Sequence, residues 1–138
     1  MPNGIDLILA DHRRVEALFA SFAESGDGTI IGQVIDALSA HDDAEHAALY
    51  PLAGHVLGGA AAIEQWAQAH SAVKKQIDYL KALEGPPLVA AFETLRLLVQ
   101  EHVADEEKNL LPALGEKATP QQLDGLGARI LQAKQRGG

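Results

Sequence analysis

The chain contains no cysteine, which removes disulfides, thiolate zinc sites, iron–sulfur clusters and cysteine nucleophiles from its chemistry. Aromatics are scarce, with one Trp, two Tyr and three Phe in 138 residues. Strands draw on aromatic and β-branched side chains, so this shortage, beside abundant Ala and Leu, favours helix over sheet. Positive charge is also short. Lys and Arg number 11 against 19 Asp and Glu, a net charge of −8, which argues against nucleic acid or an anionic membrane as partner. No apolar run approaches the ~20 residues that span a bilayer. The first residues, Met1-Pro-Asn-Gly-Ile-Asp6, lack a basic flank and an apolar core, and charged Asp11-His-Arg-Arg14 follows. No signal peptide is expected, and the cytoplasm is the default location.

What is present reads as one helical domain over residues 1–138. A chain of this length buries roughly two-thirds of its unfolded surface, enough for a core without cross-links. A first helix is predicted from about Gly4 to Glu24, with Ile5, Ile8, Leu9, His12, Val15, Phe19 and Phe22 on one face. Ser25-Gly-Asp-Gly28 breaks it. The second starts near Thr29 and meets Pro51, which must kink or end it locally; Gly54, Gly58 and Gly59 complete the break. The third spans about Ala60 to Leu83, and Glu84-Gly-Pro-Pro87 stops it. The fourth runs from about Pro87 to Leu114. Thr119-Pro-Gln-Gln122 reads as a capping box opening a short fifth helix over about 119–135, frayed after about Ala133. Short Gly- and Pro-containing loops force antiparallel neighbours, so the expected fold is all-α, an up-down-up-down four-helix bundle over about 4–115.

Polar residues intrude on the apolar stripes of these helices in a repeated pattern. His41 and Glu45 lie about 40° apart on one helical face, which also carries Val34, Leu38 and Leu52. His102 and Glu106 repeat the spacing among Leu95, Leu98, Val99 and Leu110. His12 and His70 stand singly in comparable stripes. An unpaired charge in such a place costs several kcal/mol. The plain alternative for each His/Glu pair is a solvated i, i+4 ion pair, but their placement among apolar residues favours ligation. Four inward imidazoles and two carboxylates suit iron or manganese, which accept mixed nitrogen and oxygen donors, and the carboxylates can bridge two ions.

The stretches Asp11-His12-Arg-Arg-Val-Glu-Ala-Leu-Phe19, His41-x-x-x-Glu45-His-x-x-Leu-Tyr-Pro51, His70 followed by Val73, and His102-Val-Ala-Asp-Glu106-Glu-x-x-Leu-Leu-Pro112 resemble the hemerythrin-like, or HHE cation-binding, domain. The resemblance covers about Ile5 to Leu114. It implies a non-haem di-iron centre, oxo- or hydroxo-bridged. Its ligands would be His12, His41, Glu45, His70, His102 and Glu106, with Glu45 and Glu106 bridging. It also implies a small oxygen-derived partner: O2, peroxide or NO. Oxygen-carrying hemerythrins place a second histidine one turn after the helix-three ligand, where this chain has Lys74. That departure favours peroxide turnover (a catalase-like oxidoreductase), sensing or iron handling over reversible oxygen carriage, and leaves Lys74 as a candidate to position peroxide.

Several neighbours carry a blander reading. Glu16, one turn beyond His12, reads as a surface or outer carboxylate. Glu107, about 140° from His102 on the wheel, reads as solvated, with the alternative that it replaces Glu106. Asp42 reads as a rim residue or one that orients a ligand, and His46 as a surface residue or one that orients a ligand. Tyr50, about 180° from His41, packs on Pro51; His55 faces solvent; and Trp66 is core.

Overall fold

The computed structural model describes residues 3–137, with side chains through Gln135. Helix α1 (Gly4–Ser25) opens on a reciprocal cap: the Asp6 N–H donates to the Asn3 side chain at 3.0 Å, and the Asn3 N–H to Asp6 at 3.4 Å. It ends at Gly26, whose φ of +66° suits a residue without a Cβ. Helix α2 (Thr29–Ala44) runs into a π-helical turn, π1 (Glu45–Leu49), and resumes as α3 (Tyr50–Leu57). A 3₁₀ turn (Ala60–Ile63) leads to α4 (Glu64–Lys81). Helix α5 (Pro86–Asp105) enters a second π turn, π2 (Glu106–Leu110), and continues as α6 (Leu111–Lys117). Helix α7 (Pro120–Gly137) completes the chain, and no strand occurs among the described residues.

The core explains the topology. One apolar cluster contains Val15, Leu38, Ile77 and Val99; a second contains Ile8, Ala44, Trp66 and Leu110. Along α1 and α4 the chain passes from the second cluster to the first, and along α2 and α5 from the first to the second. This alternation is an up-down-up-down bundle. It leaves a layer between the clusters, where His12, His41, Glu45, His70, His102 and Glu106 are all buried.

The structure sharpens two expectations. At Pro51, where the sequence allows a kink or an end, the helix does not stop; it continues to Leu57 and ends at Gly58, φ +108°. Pro51 and Pro112 each lie in the first turn of a renewed α-helix, six residues after Glu45 and Glu106. Widening each preceding turn removes the clash between the proline ring and the carbonyl four residues back. The Tyr50 N–H then reaches the Glu45 carbonyl, and the Leu111 N–H that of Glu106.

The final helix lies over Pro120–Gly137, close to the expected 119–135, and is helical rather than frayed beyond Ala133. It has 18 residues, opens on the expected Thr119/Gln122 cap, and stays helical through Gly137. It packs on α1, α2 and π1, burying Leu126 and Ile130. Gly4 permits the approach, because a Cβ there would strike the Leu126 side chain. No described helix is long and apolar enough to cross a membrane.

Candidate metal centre

Each π turn begins at a buried glutamate, and each glutamate faces two histidines, one from its own helix and one from another. Glu45 Oε2 lies 3.1 Å from His41 Nε2, and its Oε1 lies 2.6 Å from His70 Nε2. Glu106 Oε1 lies 3.2 Å from His12 Nε2, and its Oε2 lies 3.2 Å from His102 Nε2. The imidazoles also pair edge to face, His12 with His41 at 5.0 Å and His70 with His102 at 4.6 Å. The result is two groups of four donors that could each hold a metal ion: His12, His41, Glu45 and Glu106; and His70, His102, Glu45 and Glu106.

These donors aim at common points rather than at one another. Among the described residues, buried His12 Nε2, His41 Nε2, His102 Nε2, Glu45 Oε2 and both Glu106 oxygens make no hydrogen bond despite their proximity. Unpartnered groups at that depth are costly. A cation in each group would satisfy them all, so the residues fit a pair of metal ions.

Outside this layer, carboxylates back three of the four imidazoles, the usual means of fixing a ligating ring and its tautomer. Glu107 Oε2 is 2.7 Å from His12 Nδ1 and also takes the Arg13 guanidinium. Asp11 Oδ2 is 3.0 Å from His41 Nδ1, and its Oδ1 takes the Lys134 ammonium. Asp42 contacts His70 Nδ1. His102 Nδ1 makes no hydrogen bond among the described residues.

Ionisation without cations reflects the crowding. Burial opposes charge on His41, but the carboxylates of Glu45, Asp11 and Glu106 outweigh it and hold the imidazole up to about 10. Burial pushes Glu45 up to about 8, with Glu106 adding to the rise and His41 opposing it. Glu106 stays well below the ordinary range despite burial, because the adjacent imidazoles of His102 and His12 favour its charged form. Burial and the neighbouring imidazoles, His102 first, push His70 down to about 3. Asp11 is held low against its own burial by His41 and Lys134.

A cavity of about 30 Å³ adjoins the four histidines, lined otherwise by Val15, Leu38, Asp42, Val73, Val99 and Val103. Asp42 and His70 also line an outer cleft with Asp43, His46, Ser71 and Lys74.

The six residues expected as ligands are therefore brought together, while their neighbours divide. Glu107 is half-buried rather than fully solvated: a wheel drawn for one helix ignores α1, whose His12 and Arg13 draw it in. Glu16 is exposed and pairs with Arg13 at 3.4 Å. Tyr50 packs inward, towards His70 and Trp66. The extra residue of π1 turns later positions by about 100°, so Tyr50 is buried with its ring 5.2 Å from His70 and its hydroxyl donating to the Trp66 carbonyl at 3.4 Å. Burial, with Glu45 and Glu106, pushes that hydroxyl far up, so it stays protonated. His46 is exposed at the rim, 3.7 Å from Asp42, and His55 is exposed. Lys74 is exposed and lies in the outer cleft, while Val73 faces the inner cavity. Asp11 and Lys134 were missed as partners of His41. The Asp-His sequence at 11–12 was the only hint, and it points to the wrong histidine.

The family profile of the hemerythrin HHE cation binding domain matches residues 3–114. A hemerythrin HHE cation binding domain-containing protein from Mycobacterium kansasii has a similar structure, with a TM-score of 0.84 over 99% of this chain and 88% of that one, at 18% identity. In sequence, the chain is 28% identical over 135 residues to a protein from Nostoc sp. named DNA nickase, covering 94% of this chain and 38% of that protein.

Proposed function

This chain belongs to the hemerythrin HHE cation-binding family, and we propose that it holds two iron ions and binds O2, peroxide or NO beside them. One observation carries the reading: Glu45 and Glu106 each turn one oxygen to either histidine pair. His12 and His41 would hold one iron, His70 and His102 the other, with both glutamates bridging. Iron suits two imidazoles and two carboxylate oxygens per ion, a set that leaves positions open for a ligand. When bound, the irons supply the redox and Lewis-acid chemistry.

The remaining residues set what reaches them. One water needs about 10–15 Å³ of such space, so a cavity of about 30 Å³ admits a ligand of two heavy atoms and excludes an organic substrate. Its valine lining keeps bulk water out. Asp42 borders both this cavity and the outer cleft, so its carboxylate is placed to carry a proton between solvent and cavity if peroxide is consumed. Lys74 lines the outer cleft with Asp42 and not the inner cavity.

A second reading is iron handling or iron and oxygen sensing without turnover. The protonation demands on His41 and Glu45 in the cation-free protein favour it, since occupancy would then change stability strongly. The nicking named for the Nostoc relative is not extended to this chain. The chain spans 38% of that protein, and a net charge of −8 provides no surplus of cations for phosphate contacts.

Iron analysis of protein prepared with iron supplied, with absorption spectra under oxygen and peroxide, tests the proposal. Two irons per chain and a spectrum that responds to either ligand are expected; no bound iron overturns it. Peroxide decay on the same sample then separates turnover from sensing.

A further inference from the structure

Lys134 lies on α7, beyond the residues 3–114 matched by the family profile, yet it reaches the layer behind the metal donors. Its ammonium contacts Asp11 Oδ1, while Asp11 Oδ2 faces His41 Nδ1 at 3.0 Å. We propose that Lys134 is a positioning residue for the metal centre: through Asp11 it fixes the His41 ring and sets the redox poise of the iron bound there. This inference rests on the two-iron reading.

The placement comes from packing rather than from a free arm. Ile130, one turn before Lys134 and on the same helical face, is 1% exposed, and Leu126, one turn earlier, is 2% exposed. The Lys134 side chain is itself 30% exposed. Beside it lies a cleft of about 170 Å³, bounded also by Arg14, Val15, Ala37 and Ala40. Arg14 makes no salt bridge to Asp11 among the described residues, so Lys134 is the cation on this carboxylate.

The chemistry follows from which nitrogen does what. His41 Nε2 faces Glu45 and the donor group, so Nδ1 carries the proton and donates it to Asp11. A carboxylate there raises the basicity of the opposite nitrogen and strengthens its bond to a metal. A lysine on the second oxygen draws charge away and limits the effect. His12 has the same arrangement, with Glu107 behind it and Arg13 beyond. The two histidines of one donor group thus each carry a carboxylate closed by a cation. The other group has no such closure: among the described residues, Asp42 meets two imidazoles, those of His70 and of His46 at 3.7 Å, and no Lys or Arg.

Opposite changes at the two ends of this relay must shift the potential in opposite directions. Lys134→Gln removes a positive charge, stabilises the ferric state and lowers the midpoint potential. Asp11→Asn keeps an acceptor for His41 but removes the negative charge, and raises it. The experiment is a spectroelectrochemical titration of the iron-loaded full chain, with iron content and melting temperature measured alongside. At fixed ambient potential the expected ferric-to-ferrous ratio rises about threefold in Lys134→Gln, or about 28 mV at 59 mV per tenfold. It falls about tenfold in Asp11→Asn, and Lys134→Arg restores the wild-type value. A Lys134→Gln protein that melts lower at an unchanged potential makes Lys134 an anchor for α7 only and overturns the inference, as do shifts of the same sign in both variants. Wild-type protein without two irons overturns the two-iron reading itself, a separate failure visible before any variant is made.

Discussion

Glu107 reaches back across the sequence to His12, its Oε2 2.7 Å from the imidazole Nδ1. The contact orients one proposed ligand from a different helix, and Arg13 contacts the same oxygen. Losing such a partner typically costs about 10- to 100-fold in metal affinity. Glu107→Gln should therefore weaken one of two iron-binding steps by about that factor and leave the other unchanged. A competition titration against a chelator reads both steps.

The cation-free protein should have an acidic stability optimum. His41, held up to about 10 from 6.5, contributes stability that is present below pH 6.5 and lost as the pH rises to about 10. Glu45, pushed from 4.5 to about 8, contributes stability lost between those values as the pH rises. His70, pushed from 6.5 to about 3, acts in reverse and costs stability as the pH falls through that range. Glu45 and His70 oppose each other between pH 4.5 and 6.5. The melting temperature without metal should therefore be highest there and fall towards pH 9. Iron replaces those protons, so loaded protein should show a flatter profile, and iron affinity should rise with pH over the same alkaline range. Melting curves with and without iron check both statements.

The small cavity makes a steric prediction. Val73→Phe should fill the space beside His70 while sparing all six donors. Iron content should stay at the wild-type level, and the spectral response to peroxide or NO should be lost. A persistent response would place the ligand elsewhere.

Gly4→Ala forces a Cβ into Leu126 at its own Cβ and Cγ, which cannot swing aside as a side-chain tip could. Overpacking of this kind costs about 1–3 kcal/mol. The expected result is a lower melting temperature and faster amide exchange in α7, with iron content little changed. Unchanged exchange would mean that α7 is not seated through Gly4.

Why some of this was legible in sequence and some was not follows from how each feature is encoded. His12, His41, Glu45, His70, His102 and Glu106 could be read because each interrupts an apolar stripe on its own helix, and a helical wheel detects that. Asp11, Asp42, Glu107 and Lys134 could not be assigned, because their partners lie on other helices and no wheel describes a neighbour. The π turns were half visible. A proline six residues after each glutamate is in the sequence, but a proline signals a break, and only the packing of Tyr50 and Leu111 turns the break into a widened turn. Helix α7 was legible from its Thr119/Gln122 cap despite the weakening by Gly125 and Gly127, and burial of Leu126 and Ile130 sustains it.

The account rests on two shared carboxylates, and counting iron in two variants tests this most directly. If Glu45 bridges, Glu45→Ala strips both ions and leaves less than about half an iron per chain, while His102→Ala, which removes a terminal donor, keeps about one. A Glu45→Ala protein that retains one iron as firmly as the wild type would contradict the bridged pair.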